Sequence, residues 1–260
     1  GDPPVVVVNR PERAKINADE ILTISGSVLA NGTAVPASDL SAVYVWDIVG
    51  PRTAEFEVQS LAGSPYFALG KESLIPGQTY TLELRAALME GAAFGTAKIQ
   101  LQVNQAPTSG DCSVNPQVGE AVVTDFALAC SGWTDEPEDL PLSYAWSVLH
   151  ANFNFSTEPN EHDTYRMMLW VSHSQAHSTP KGGLTTALVQ KTLSKKNQVV
   201  LPEGEVEDEH KIVLRGCVYD IFQGRACVIR RVQVEPFGSS GATTARYQYG
   251  RSNRQLLARG

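Results

Sequence analysis

The first 103 residues contain four segments in which apolar and polar side chains alternate with a period of two. They are residues 20–28, 42–49, 79–88 and 96–103. Successive side chains of a β-strand point to opposite faces, so this alternation indicates strands that bury one face. Gly, Pro and Asn residues separate the segments, and no helical period is convincing before residue 160. The sequence therefore predicts an all-β fold.

The same series of segments recurs in the same order later in the chain. The matching pairs are 23–28 with 128–133, 44–46 with 144–146, 82–88 with 212–218, and 97–103 with 228–234. Because the order of the four strands is kept, the pairs indicate two homologous β-domains. Short strands in this number are typical of sandwich domains. We therefore predict two tandem immunoglobulin/fibronectin type III-like β-sandwiches, the second with a long insertion.

The domain boundary is predicted from composition. Residues 104–111 are rich in Pro, Ser and Gly, which is typical of a linker. The predicted sandwiches are residues 1–105 and residues 106–237, and the insertion in the second one spans about residues 149–200. Residues 238–260 contain many Gly, Ser and Arg residues, and we interpret them as a linker or the start of a following segment.

The insertion is the predicted contact region, because loops of this length are functional or contain structure of their own. Residues 165–173 suit a strand, and residues 184–196 suit a short helix. The candidates for ligand contact are its aromatic side chains, Phe153, Phe155, Tyr165 and Trp170.

Three other aromatic residues are predicted to be structural. Trp46 and Trp146 lie in the middle of strands, where a sandwich packs its central tryptophan. Residues 73–80 resemble the tyrosine corner of fibronectin type III domains. In that arrangement the hydroxyl of Tyr80 would bond to nearby backbone while its ring fills the edge of the core.

Charge and cysteine content limit the class of protein. A net charge of −7 argues against a nucleic-acid partner. Apolar runs are too short to cross a bilayer, so we expect membrane contact only through parts outside this chain. Four cysteines without a C-x-x-C motif favour two disulfides and an oxidising compartment. N-x-[ST] sequons at Asn31 and Asn154 predict glycosylation and an extracellular or cell-surface location.

The disulfide pairing follows from side-chain parity. An immunoglobulin domain would join Cys130 to Cys217 across its core. Leu214 belongs to the apolar face of its strand, and Cys217, three residues later, points to the opposite face. The predicted hairpin instead places Cys217 near Cys227, which leaves Cys112 to pair with Cys130.

An acidic cluster precedes the second tryptophan strand. Within it, Asp135, Glu136 and Asp139 are candidate calcium ligands, because hard cations prefer carboxylate oxygens. The spacing lacks the central Gly and terminal Glu of an EF-hand, and the alternative is a solvated loop stiffened by proline. Calcium is therefore the candidate cofactor. The sequence contains no G-x-S-x-G, Walker or dinucleotide-binding motif, so we expect no catalytic residues and no enzyme activity.

Residues 110–146 resemble the REJ (receptor for egg jelly) region of the polycystin-1 family. The matching residues are Gly110, Cys112, Cys130, Gly132, Trp133, Asp135, Pro141, Leu142 and Tyr144. Residues 210–235 resemble, more loosely, the hairpin of PKD and REJ modules through Val218, Asp220 and Gly224. The resemblance implies tandem β-sandwiches on the extracellular side of a large membrane or surface protein.

We therefore predict a non-catalytic extracellular structural and interaction module. Its predicted partners are other protein chains or neighbouring domains of the same protein, and the resemblance implies a ciliary membrane ectodomain within that class. Two alternatives remain open. One is a receptor region that recognises a glycan or protein through the insertion, and the other is an accessory domain of a secreted enzyme.

Overall fold

The computed structural model describes residues 2–36, 41–51, 56–149 and 185–239. These residues form sixteen strands, two single-turn 3₁₀ helices and no α-helix, which confirms the predicted all-β fold. The chain divides into two compact units, the first comprising residues 1–106 and 222–224 and the second comprising residues 107–221 and 225–260. Nowhere in the described residues does a helix have the length and apolarity that crossing a bilayer requires.

The first unit contains eight strands in the residues that the structure describes. Their bounds are β1 (Val5–Val8), β2 (Lys15–Ile16), β3 (Leu22–Ala30), β4 (Thr33–Ala34), β5 (Val43–Val49), β6 (Tyr66–Leu69), β7 (Thr79–Ala87) and β8 (Gly95–Val103). One sheet has the order β2-β8-β7-β5, in which β2 is parallel to β8 and the other pairs are antiparallel. The other sheet has the order β1-β3-β4, and β6 also pairs with β3. Strands β3, β5, β7 and β8 are the four that the alternation predicts.

The second unit also contains eight strands in its described part. Their bounds are β9 (Asp111–Asn115), β10 (Val118–Glu120), β11 (Phe126–Ser131), β12 (Ser143–Leu149), β13 (Thr185–Thr192), β14 (Lys196–Val199), β15 (Lys211–Tyr219) and β16 (Arg225–Glu235). The 3₁₀ turns are Pro137–Asp139 and Val206–Asp208. The sheet orders are β10-β16-β15-β12-β13 and β14-β11-β9, and β10 is parallel to β16.

The two units repeat one strand arrangement. The order β2-β8-β7-β5 of the first unit corresponds to β10-β16-β15-β12 of the second, with a parallel first pair in each. The predicted residue match of 23–28 with 128–133 is displaced by one position, however. Ile24 faces the first core, whereas its counterpart Ala129 lies between the core-facing Leu128 and Cys130. One residue of displacement reverses the face of a strand, so the strands correspond but that letter-by-letter match is wrong.

The structure confirms the tyrosine corner. Tyr80 is 0% exposed, and its hydroxyl accepts a hydrogen bond of 2.9 Å from the backbone N–H of Ile75. The ring packs in the core beside Phe56, with centroids 6.0 Å apart in an edge-on arrangement. A partly buried backbone donor outside the sheet ladder is thus satisfied by a core side chain.

Trp146 is the centre of the second core, as its mid-strand position predicts. It is 1% exposed and lies opposite Gly216 of β15. A Cβ atom at position 216 would come within 2.9 Å of the indole ring, so the glycine provides the room that the ring occupies. Trp46 is only partly buried, and its indole N–H donates to the backbone oxygen of Ser64 at 3.0 Å.

The predicted helix over residues 184–196 is wrong, because Thr185–Thr192 forms β13. β-branched residues favour a strand, and pairing with β12 satisfies the backbone. The register between β12 and β13 is irregular, so the adjacent residues Leu188 and Val189 can both pack against the core. Leu193, which the helical pattern placed on the apolar side, is 65% exposed. The predicted strand over residues 165–173 lies outside the described residues.

Both disulfides join residues that lie directly opposite each other in neighbouring strands. Cys112 of β9 is bonded to Cys130 of β11, and Cys217 of β15 is bonded to Cys227 of β16. Gly216 faces Trp146, so Cys217 points to the outer face of its sheet. This is the pairing that side-chain parity predicts, and neither bond crosses the core.

Removing the Tyr80 hydroxyl tests the tyrosine corner. In Tyr80→Phe the partly buried N–H of Ile75 loses its acceptor, and we expect the free energy of unfolding to fall by about 1 kcal/mol. Urea denaturation measures this loss. Tyr66→Phe is the control, since Tyr66 is 51% exposed. A Tyr80→Phe variant as stable as this control would contradict the assignment.

Peptide mapping without reduction tests the disulfide pairing. Trypsin cleaves after Arg215, Arg225 and Arg230, so Cys217 and Cys227 fall on the separate peptides 216–225 and 226–230. Mass spectrometry is expected to detect these two peptides joined by one disulfide. Residues 99–166 contain no tryptic site before their end and hold both remaining cysteines. A peptide 99–166 linked to 216–225 would instead show the immunoglobulin pairing and overturn the parity argument.

Candidate functional site

Three aspartates meet at one end of the second unit. Asp135 precedes the Pro137–Asp139 turn, Asp139 ends it, and Asp220 follows β15. One carboxylate oxygen from each lies within 4.8 Å of the other two. Asp139 is 0% and Asp220 1% exposed, while Asp135 is partly buried. We call these three residues the aspartate cluster.

Local hydrogen bonds position the cluster. The carboxylate of Asp135 accepts from the backbone N–H of Glu136 at 2.9 Å, and the N–H of Asp139 donates to the carbonyl of Glu136 at 3.0 Å. The carbonyl of Asp139 then accepts from the N–H of Ile221 at 3.1 Å. This last bond connects the acidic loop to the β15–β16 hairpin, and therefore brings Asp220 to the other two carboxylates.

Gly110 and Trp133, which both match the REJ pattern in the sequence, support the same loop. Trp133 packs over Gly110, where a Cβ atom would come within 2.1 Å of the indole. The indole N–H donates to the backbone oxygen of Asp111 at 3.2 Å. The N–H and C=O of Thr108 and Thr134 also bond to each other, at 2.9 and 3.0 Å. These contacts hold the start of the acidic loop against the strand that carries Cys112.

Basic side chains border the aspartate cluster. The ammonium of Lys191 lies 3.8 Å from the ring centroid of Tyr219, at the end of β15. Burial lowers the pKa of Lys191, the carboxylate of Asp220 raises it in part, and Arg225 lowers it. Lys191 is therefore close enough to both Asp220 and Arg225 for electrostatic interaction. Carboxylates this close repel one another, and nearby positive charge offsets part of this repulsion.

The cluster differs from the predicted calcium ligands in one residue. Asp135 and Asp139 meet as expected, whereas Glu136 is exposed and does not belong to the group. Asp220 takes the third position, although the sequence placed it only in the hairpin pattern. Ser143 pairs with Tyr219, and this register sets the start of β12 beside the end of β15. Carboxylate oxygens suit a hard cation such as Ca²⁺, and calcium stays a prediction for this cluster.

The predicted glycosylation site at Asn31 lies on an exposed hairpin turn. Asn31 and Gly32 connect β3 to β4 with φ angles of 51° and 81°, the geometry of a two-residue hairpin turn. An exposed turn leaves the side-chain amide accessible, and its modification stays a prediction. The second predicted site, Asn154, lies outside the described residues, as do the predicted contact residues Phe153, Phe155, Tyr165 and Trp170.

The solved structures that are similar to the chain include two with low sequence identity to it. One comprises three N-terminal domains of the Highly Immunogenic Outer Capsid protein (Hoc) of bacteriophage RB49, with 10% identity and a TM-score of 0.33 over 90% of this chain and 70% of that one. The other is SGBP-B of the Bacteroides ovatus mixed-linkage glucan utilization locus in complex with a mixed-linkage heptasaccharide, with 13% identity and a TM-score of 0.27. That match covers 90% of this chain and 48% of the other.

The family of the chain follows from a match along nearly its whole length. No curated protein sequence matches the chain. The model of the REJ domain, however, matches residues 11–258, which include most of both units and both disulfides. The match extends far beyond residues 110–146, where the sequence resemblance is strongest. The chain therefore belongs to the REJ domain family.

Proposed function

We propose that this chain is a non-catalytic extracellular module, which provides structural and protein-binding surfaces within a larger surface protein. The observation that carries the proposal is the REJ match over residues 11–258. The two disulfides support an oxidising compartment, since such bonds persist outside the cytosol. In this proposal the partners are other protein chains or neighbouring domains of the same protein, and the ciliary membrane is one location that the polycystin-like resemblance implies.

The proposed module consists of two copies of an immunoglobulin/fibronectin type III-like sandwich. The shared strand order supports this assignment. In the first unit β2 lies parallel to β8, which is the second strand of the hairpin after the tryptophan strand, and in the second unit β10 lies parallel to β16 in the same position. The hydrogen bond that the buried Tyr80 forms in the first unit supports it further. In such sandwiches, loops and strand edges are the surfaces that remain available for binding.

The aspartate cluster has a structural role in this proposal. It lies beside the hairpin that carries Cys217 and Cys227, and its backbone bonds join that hairpin to the acidic loop. Basic residues at its border supply opposite charge. We therefore expect partners to bind with the same affinity in the presence and in the absence of calcium.

A binding screen tests the proposed function. The chain is secreted from eukaryotic cells as a multimeric fusion and is applied to an array of protein ectodomains and to a glycan array, each with calcium and with EDTA. We expect saturable binding to at least one ectodomain, with affinity equal in both buffers. Multivalency raises a weak affinity enough to detect it.

The alternatives give different results in the same screen. Binding that is confined to glycans and is lost in the Trp170→Ala variant would contradict the proposal. It would favour the alternative of a receptor region that recognises a glycan through the insertion. Phe237→Ala is the matched control, because Phe237 is an aromatic residue that is 72% exposed. Binding that requires calcium would contradict the structural role of the aspartate cluster. Absence of any ectodomain partner would contradict the proposed interaction role.

A further inference from the structure

The first strand of the first unit is the last strand of its sheet. β1 pairs with β3, and β4 pairs with the opposite side of β3. Among the described residues, no strand pairs with the outer side of β1. The burial of its side chains alternates regularly: Val5 is 62% and Val7 38% exposed, whereas Val6 and Val8 pack against the core. β1 is therefore a regular strand with one edge open to solvent.

The hydrogen-bonding groups on the open side of β1 belong to Val6 and Val8. The N–H of Asn9 donates to the carbonyl of Ser25 at 2.9 Å, so every second residue back along β1 also bonds to β3. The residues between them, Val6 and Val8, therefore direct their N–H and C=O groups away from β3. In the described part of the chain, no backbone hydrogen bond outside the strand ladders involves either valine.

The sequence of β1 lacks the features that usually protect a strand edge. Charged side chains, proline residues or a bulge prevent most edge strands from pairing with another chain. β1 consists of four valines in regular register with β3 and contains none of these features. Valine also favours the extended conformation of a strand. The open edge is thus suited to pair with a further strand.

The charges that flank β1 favour a second copy of the chain as that strand. Asp2 precedes β1 and Arg10 follows it, and both are exposed. Within the described residues, neither side chain takes part in an ion pair. In antiparallel pairing of two copies, the negative end of one β1 meets the positive end of the other. Parallel pairing would instead bring like charges together.

The carbonyl group of Pro4 limits the register of such a pair. Gly95 of the facing sheet covers it, since a Cβ atom at position 95 would lie 2.0 Å from this oxygen. The ladder between two copies therefore uses Val6 and Val8, with Val6 of one copy opposite Val8 of the other. Each such pair exchanges N–H···O bonds in both directions, which satisfies all the open groups of the two valines. The two-fold axis then passes beside Val7.

We propose that two copies of this chain associate through antiparallel pairing of their β1 strands. The pairing joins two β1-β3-β4 sheets into one continuous sheet, and Val5 and Val7 of both copies form an apolar row on its outer face. It uses the open edge of both copies, so the assembly closes at a dimer. This inference rests on the proposed function as an interaction module, and it names a second copy of the chain as the partner.

Sedimentation equilibrium of the full chain tests the proposal. We expect a reversible monomer–dimer equilibrium at protein concentrations up to about 1 mM. Val7→Lys places like charges opposite each other at the two-fold axis and is expected to weaken dimerisation about tenfold. Val45→Lys is the matched control and is expected to change it less than about twofold, because Val45 lies within β5 and is 37% exposed. Equal weakening by both variants would overturn the proposal.

Charge reversal at the two ends of β1 tests the antiparallel orientation. Asp2→Arg and Arg10→Asp each bring like charges together, and each is expected to weaken dimerisation about threefold. The double variant restores opposite charges and is expected to dimerise with the affinity of the unaltered chain, to within about twofold. A double variant in which the two losses add would overturn the proposed pairing.

Hydrogen exchange distinguishes strand pairing from contact through side chains alone. The N–H groups of Val6 and Val8 are expected to exchange quickly in the monomer and slowly at concentrations where the dimer forms. Those of Val5 and Val7 bond to β3 and are expected to be protected at every concentration. A dimer that leaves Val6 and Val8 unprotected would contradict pairing through β1.

The remaining outcomes separate this inference from the proposed function. A chain that is monomeric up to about 1 mM, or that forms species larger than a dimer, would overturn the β1 contact. If the contact fails while the ectodomain screen finds a partner, the proposed function stands and this surface is wrong. If both fail, the interaction role itself is wrong.

Discussion

The antiparallel pairing between each tryptophan strand and the long strand that follows it determines most of this structure. In the second unit the pairs run from Ser143 with Tyr219 to Leu149 with Val213. This register sets Trp146 over Gly216 and turns Cys217 outward toward Cys227. Because the period of a strand is two, no one of these positions can change face without moving the others.

The same register explains the aspartate cluster. Pairing of Ser143 with Tyr219 brings the loop before β12 and the loop after β15 to one end of the sheet. The backbone bond between Ile221 and Asp139 then fixes the distance between the two loops. Buried carboxylates in a β-domain are costly unless charge or hydrogen bonds compensate them. The cluster thus results from the strand pairing that brings the acidic loop and the hairpin together.

The alternation of side chains along strands and the turn-forming residues between them predicted much of the fold from the sequence. Alternation predicted β3, β5, β7 and β8, and local sequence predicted the hydrogen bond of Tyr80. Contacts between distant segments were harder to predict. Asp220 lies 81 residues beyond Asp139 in sequence, and only the sheet order makes them neighbours. The helix predicted over residues 184–196 failed because tertiary pairing with β12 outweighs a short apolar period. The match between residues 23–28 and 128–133 failed because similar letters do not report which face a side chain takes.

The pairing of each tryptophan strand with the long strand that follows it is common to both units. Amide hydrogen exchange, measured residue by residue by NMR on the chain without added ligand, tests this pairing. The amides of β12 that bond to β15 are expected to exchange slowly, because strand hydrogen bonds protect them. The amides of β5 that bond to β7 are expected to exchange slowly for the same reason. Fast exchange of these amides in either strand would overturn the shared pairing.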